Sequence, residues 1–178
     1  TVALLLLVTV TSKNKTNIDD IGINTLAMVY IGNGFHSLIT VRGTQDGLAL
    51  LGYILVVIWA TDIGAYQFGR SFGKHKLWPV ISPNKTWEGS IGGTLSALVC
   101  AAIYLHFFPV GYAHFTYMIL ITLVFSISGQ LGDLVESAYK RYYGVKDSGK
   151  ILPGHGGILD RFDSLLFVLP MLHWFGLL

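Results

Sequence analysis

Long apolar runs separated by polar segments make up most of the chain. Six such runs lie at positions 2–10, 21–41, 47–69, 90–108, 115–135 and 165–178. The middle four approach the ~20 residues that a helix needs to cross a bilayer, whereas the first and last are shorter. None shows the strict alternation of a barrel strand, and a spanning helix satisfies its own backbone hydrogen bonds. The pattern predicts an all-α, polytopic membrane protein with about five to six transmembrane helices.

The distribution of basic residues orients these segments. If successive runs alternate in direction, the polar segments 11–20, 70–89 and 137–162 share one side of the membrane. That side holds eleven lysines and arginines: Lys13, Lys15, Arg70, Lys74, Lys76, Lys85, Lys140, Arg141, Lys146, Lys150 and Arg161. The other side holds Arg42 alone. The positive-inside rule therefore predicts two long polar loops, 70–89 and 137–162, in the cytoplasm.

Composition agrees with a membrane location. The 178 residues are 52% hydrophobic and 12% charged, against roughly 25% charged in soluble domains. A net charge of +2 is too small to suggest a nucleic-acid-binding surface. Cys100, the single cysteine, lies in an apolar run and is expected to be a buried packing residue. No linker divides the chain, so residues 1–178 are interpreted as one domain.

One acidic residue near the first polar loop lies where a charge is energetically unfavourable. Asp62 lies inside an apolar run, where a carboxylate is a functional candidate by default, although a structural pair with Arg70 is the alternative. The glycines nearby permit close approach of either a phosphate or another helix: 64, 69, 73, 89, 92 and 93. Lys74, Lys76 and Lys85 are either phosphate ligands or a topology signal. Trp78 and Trp87 are expected at the membrane interface.

The second polar loop carries two acidic pairs. Asp133 and Glu136 are three residues apart, as are Asp160 and Asp163, so each pair shares one face if its segment is helical. With the basic residues between them, they indicate a cation site facing a phosphate site, because Mg²⁺ prefers carboxylate and phosphate oxygen. Structural ion pairs, such as Asp133 with Lys140, are the alternative interpretation.

His155 lies in the glycine-rich sequence PGHGG, which allows a tight turn around a phosphate. A structural hydrogen bond is the alternative role. Zinc is disfavoured, because no second histidine or cysteine stands at ligand spacing.

The second loop, SAYKRYYGVKDSGKILPGHGGILDRFDS, resembles the signature of phosphatidate cytidylyltransferases, with a match from Ser137 through Asp163. The first loop resembles a second conserved block of that family through DIGAY, GRSFGKHKL and SPNKTWEG. The resemblance implies transfer of a cytidylyl group from CTP to phosphatidic acid, with Mg²⁺ required and a second cation left open. It also implies a bacterial inner membrane location, a cytoplasmic active site, a homodimer as an open possibility, and N-terminal helices that this chain lacks.

The resemblance also implies roles for individual residues. The metal ligands are Asp133 and Asp160, with Asp163 and Glu136 as weaker candidates. Phosphates of CTP or of the lipid are assigned to basic residues: Lys85, Lys140, Arg141, Lys146, Lys150 and Arg161. His155 is a catalytic candidate beside Lys150, Arg161 and the two metal aspartates, and Asp62 and Ser82 are expected to bind substrate.

Three other classes of function are weighed against this one. An ion-coupled transporter also places acids at broken helices, but here most charge lies in the loops and no inverted repeat is visible. A CTP-dependent lipid kinase needs the same metal, triphosphate and membrane pocket, and only its products differ. A scaffold has no reason to carry the acidic pairs.

Overall fold

The computed structural model describes residues 2–12, 15–110, 113–149 and 156–178. In these ranges the elements, in chain order, are α1 (Val2–Thr11), α2 (Ile18–Gly43), α3 (Gly47–Phe72), β1 (Lys76–Trp78), β2 (Ser82–Thr86), α4 (Trp87–Phe107), α5 (Phe115–Tyr142), α6 (Leu159–Val168) and α7 (Met171–Trp174). The fold is therefore mostly helical, with one short two-stranded ribbon between α3 and α4.

Three helices, α3, α4 and α5, are long and apolar enough to cross a bilayer. They support the prediction of a polytopic helical membrane protein. The run 21–41 lies in α2, which has 26 residues but is not among these three. The run 2–10 forms the 10-residue α1, and the run 165–178 is divided between α6 and α7. Membrane crossing by these last three runs stays a prediction.

The outer face of α4 is apolar along its whole length. Exposed side chains recur every four residues on this face: Ile91, Leu95, Val99, Ile103 and Phe107. Residues four apart lie on one side of a helix, so they form a continuous apolar stripe. A stripe of this length suits contact with lipid rather than with water.

Cys100 corrects an expectation, because it is exposed rather than buried. It follows the exposed Val99 on α4, whereas the packed side of that helix carries the fully buried Ala97 and Ala101. Apolar neighbours in sequence could not distinguish burial against protein from burial in lipid.

Small residues bring α3 and α4 together. A Cβ atom on Gly93 would lie 2.6 Å from the carbonyl oxygen of Thr61, and one on Gly89 would lie 2.7 Å from that of Ala65. Only glycine allows this separation without movement of backbone. The helix-packing interpretation of these glycines is supported, and Gly89 also faces the cavity described below.

The ribbon is a feature that the sequence pattern did not predict. Within the predicted loop 70–89, α3 continues to Phe72, and β1 then pairs antiparallel with β2, with Lys76 opposite Thr86 and Trp78 opposite Ser82. Strands of three and five residues contain too few alternating positions to be recognised by periodicity. They correct the all-α prediction, and they hold the predicted substrate residues Lys85 and Ser82 on β2.

The second predicted loop begins later than expected, because α5 continues to Tyr142. The Nζ atom of Lys140 lies 2.6 Å from Oε2 of Glu136, one turn earlier. Pairs at this spacing stabilise a helix. Asp133 and Glu136 therefore lie within α5, and the condition for a shared acidic face is met.

The core lies where α3, α5 and α6 meet, around Tyr53, Phe125 and Leu169, all fully buried. Polar contacts join the helices within it. The hydroxyl of Tyr53 lies 2.8 Å from that of Thr122 on α5. Ser126 on α5 lies 2.9 Å from the hydroxyl of Thr61 on α3 and 3.1 Å from that of Thr94 on α4.

Candidate functional site

A cavity of about 250 Å³ lies between α3, the ribbon, the first turn of α4, and α5. Most of the residues that line it have polar or charged side chains: Asp62, Ala65, Tyr66, Leu77, Asn84, Lys85, Thr86, Gly89, Ser90, Gln130 and Asp133. Three of the predicted site residues, Asp62, Lys85 and Asp133, meet here from three different elements. The cavity therefore brings the first polar loop together with the acidic part of α5, which sequence alone treats separately.

Lys85 and Asp133 form a direct ion pair. The Nζ atom of Lys85 lies 2.6 Å from Oδ2 of Asp133, with 26% and 35% of the two side chains exposed. The ribbon fixes Lys85, because Thr86, the next residue, accepts a hydrogen bond from Gly89 N–H and caps α4. The alternative pairing of Asp133 with Lys140 is replaced by this longer-range contact.

Three carboxylates converge below the cavity. One ligand oxygen each from Asp133, Glu136 and Asp163 lies within 4.8 Å of the others. Glu136 is only 4% exposed, and its Oε1 atom has no hydrogen-bond partner among the described residues. A buried carboxylate oxygen without a donor is costly unless a cation satisfies it. This group of oxygens fits a hard divalent cation such as Mg²⁺.

Asp160 lies outside this group of three, and its own oxygens are occupied. Lys140 donates to Oδ1 at 2.8 Å and also to Glu136, so it bridges the two acids. The Oδ2 atom accepts bonds of 2.8 Å from Ser148 N–H, the Ser148 hydroxyl and Gly157 N–H. Burial alone would raise the pKa of Asp160, but these donors outweigh it and hold the pKa well below its ordinary range. Asp160 thus fastens the segment around Ser148 and Gly157 to α6.

Asp163 has the opposite electrostatic surroundings. Burial raises its pKa above the ordinary range, and the nearby Asp133 carboxylate raises it further. The Tyr30 hydroxyl donates to the backbone oxygen of Asp163 at 2.9 Å, which ties α2 to this part of α6. The Asp163 side chain is consequently held at a site where negative charge accumulates.

The remaining predicted residues that the structure describes do not line the cavity. Arg141 Nε donates to the Ile81 carbonyl at 3.2 Å and so links α5 to the ribbon turn. Ser82 pairs with Trp78 across the ribbon. Lys146 is exposed after α5, and Arg161 is exposed on α6. Lys150 and His155 lie outside the described residues.

The cavity also contains polar residues that sequence reasoning missed. Gln130 donates from Nε2 to the Thr94 hydroxyl at 3.2 Å and to the Ser90 carbonyl at 3.4 Å. Asn84 lines the cavity from β2. Gln130 lies three residues before Asp133, so the helical spacing that pairs Asp133 with Glu136 would also have marked it.

Comparison with known proteins shows to which family the chain is similar. A family model described as "Cytidylyltransferase family" matches residues 1–178. The phosphatidate cytidylyltransferase of Bacillus subtilis (strain 168) is 57% identical over 176 residues, covering 97% of this chain. The protein of the same name from Staphylococcus haemolyticus (strain JCSC1435) is 52% identical over 170 residues, covering 96% of the chain. In both cases the chain spans 64% of the relative's own length.

Proposed function

Because the chain belongs to the cytidylyltransferase family, we propose that it transfers the cytidylyl group of CTP to phosphatidic acid. A phosphate oxygen of phosphatidic acid forms a bond to the α-phosphorus of CTP, the bond from that phosphorus to the bridging oxygen breaks, and pyrophosphate leaves. The product is CDP-diacylglycerol. The observation that carries the proposal is the juxtaposition of the three-carboxylate group with the Lys85 cavity.

The chemistry of this reaction matches the charges of the site. The attacking phosphate is already an anion, so the main obstacle is repulsion between two polyanions rather than removal of a proton. Asp133, Glu136 and Asp163 would hold Mg²⁺, which when bound offsets phosphate charge. Lys85 contributes an ammonium group inside the cavity, where preorganised charge is most effective. Asp160 remains a predicted ligand from the family resemblance, alongside its visible role in fastening the loop.

We place the site on the cytoplasmic side of a bacterial inner membrane, from the distribution of basic residues. The cavity is lined by residues of three helices that are long and apolar enough to cross a bilayer. We propose that it opens at the membrane boundary, where a headgroup and a water-soluble nucleotide can both reach it. Lys140, Arg141, Lys146, Lys150 and Arg161 are proposed to bind phosphates there, and Asp62 and Ser82 to bind substrate. His155 and Lys150 stay candidates on the strength of the resemblance alone.

Two labels on CTP separate this reaction from lipid phosphorylation. Purified protein in phosphatidic acid vesicles is given Mg²⁺ and CTP labelled either at the α- or at the γ-phosphorus. We expect α-label in the lipid fraction and γ-label in pyrophosphate. Transfer of γ-label to lipid would identify a kinase, and the absence of lipid label from both would contradict the proposal for this chain.

A further inference from the structure

Lys85 pairs with a carboxylate that belongs to the three-carboxylate group. Its ammonium lies 2.6 Å from Oδ2 of Asp133, a member of the three-carboxylate group. Among the residues that the structure describes, the other oxygen, Oδ1, accepts only a long hydrogen bond of 3.4 Å from the Ser137 hydroxyl. In this structure the protein therefore neutralises part of its own acidic group with a lysine from the ribbon.

An ammonium and a divalent cation cannot share this position at low cost. Like charges a few ångströms apart repel, and the repulsion is strengthened where water is partly excluded. A second observation also points to a cation. The buried Oε1 atom of Glu136 has no hydrogen-bond partner among the described residues, so a bound cation would satisfy it. A cation that binds this oxygen together with Asp133 and Asp163 would compete with Lys85 for the Asp133 carboxylate.

The displaced lysine has an obvious second position. Lys85 is the one basic residue lining the described cavity, whose other charged lining residues are Asp62 and Asp133. An anion entering the cavity meets two carboxylates unless a cation covers Asp133 and leaves the ammonium available. A phosphate oxygen can then replace the carboxylate as the partner of Lys85, whose Nζ atom has an ion-pair partner but no hydrogen-bond acceptor among the described residues, and supply a charge-assisted hydrogen bond.

We propose that Lys85 is an exchangeable counter-ion: a divalent cation displaces it from Asp133, and the freed ammonium binds a phosphate of the incoming substrate. The displacement depends only on the described carboxylates and the lysine, whereas the phosphate step rests on the proposed function. Metal and phosphate binding are then coupled, since each makes the other more favourable. Lys85 acts as a positioning and coupling residue through this exchange.

The test of displacement uses Mn²⁺ alone, with no nucleotide. Free Mn²⁺ is titrated by electron paramagnetic resonance against the detergent-purified protein and variants. Lys85→Met is expected to bind Mn²⁺ about fivefold more tightly, the amount that loss of a partly exposed ion pair would release. Lys85→Arg retains the charge and should resemble the original protein. Lys76→Met, a control on β1 of the same ribbon, should leave Mn²⁺ affinity unchanged.

Folding of each variant is checked by thermal unfolding, and Lys85→Gln replaces Lys85→Met if the latter does not fold. Unchanged or weaker Mn²⁺ affinity in the folded variant would overturn the exchange. Equilibrium dialysis of labelled CTP at saturating Mn²⁺ then tests the second step, and Lys85→Met is expected to bind CTP about tenfold more weakly. Equal CTP affinity would overturn the phosphate step, whereas failure of the original protein to bind CTP would refute the proposed function and leave the Mn²⁺ result standing.

Discussion

Asp160 and Asp163 lie three residues apart on α6, yet they have opposite surroundings. Four donor groups, from Lys140, Ser148 and Gly157, reach the oxygens of Asp160. Asp163 instead faces Asp133 and Glu136, with ligand oxygens within 4.8 Å. One carboxylate is satisfied by the protein, whereas the other contributes to a surplus of negative charge. Asp160 thus holds two chain segments together, whereas Asp163 contributes a carboxylate to a group that suits a cation.

The strongest test of this comparison is Asp133→Asn. The substitution removes one charge from the acidic group and leaves Lys85 without its carboxylate partner. We expect normal membrane integration but at least about a 100-fold loss of CDP-diacylglycerol formation, because a metal ligand and its charge are lost together. The measurement is turnover as a function of Mg²⁺ concentration. Near-normal turnover with an unchanged Mg²⁺ requirement would remove Asp133 from the site.

Asp160→Asn should act mainly on the loop. Weakening its charge-assisted hydrogen bonds is expected to lower the free energy of unfolding by about 2 kcal/mol. Hydrogen exchange at the Ser148 and Gly157 amides should accelerate, while Mn²⁺ affinity changes less than twofold. A loss of Mn²⁺ affinity as large as that of Asp133→Asn would instead make Asp160 a ligand, as the family resemblance predicts.

The smallest effect is a difference in titration between the two aspartates of α6. In metal-free protein, carboxyl ¹³C shifts should place the pKa of Asp160 below and that of Asp163 above the ordinary value near 3.9. The charged form of Asp160 therefore adds stability that is present above that value and is lost as pH falls through its lowered pKa. The charged form of Asp163 costs stability, and this cost is relieved as pH falls through its raised pKa. Shifts in the same direction would contradict the comparison.

Local patterns in the sequence predicted much of this arrangement. The three-residue spacing of Asp133 and Glu136 depends only on helix geometry, so it was recoverable before the fold was known. The apolar runs likewise located α3, α4 and α5, because lipid contact requires apolar residues on nearly every face. The extension of α5 past position 135 was missed, since its last turns are stabilised by the Glu136–Lys140 pair rather than by apolar periodicity.

Contacts between residues that are far apart in the chain could not be predicted from the sequence. Nothing in the pattern joins Lys85 to Asp133, because the strand that carries the lysine packs against α3, α4 and α5, which are distant from one another in the sequence. Asp160 was ranked above Glu136 as a metal ligand by the resemblance, but hydrogen bonding from Ser148 and Gly157 depends on how the chain returns to α6. Burial of Glu136 similarly follows from packing of α6 on α5.

The hydroxyl contacts between Thr61, Ser126 and Thr94 have a consequence for helix rotation. In an apolar interior no water replaces a lost partner, so turning α5 by one residue, about 100°, would cost Ser126 both of its hydroxyl partners. Thr61 and Thr94 would keep only their bonds to carbonyl oxygens of their own helices, those of Val57 and Ser90. The contacts therefore favour one rotation of α5 about its axis relative to α3 and α4. Ser126 lies seven residues before Asp133, about two helical turns away. The rotation of α5 about its axis also sets the direction in which the Asp133 side chain points. The small buried hydroxyl groups therefore help to orient the acidic site.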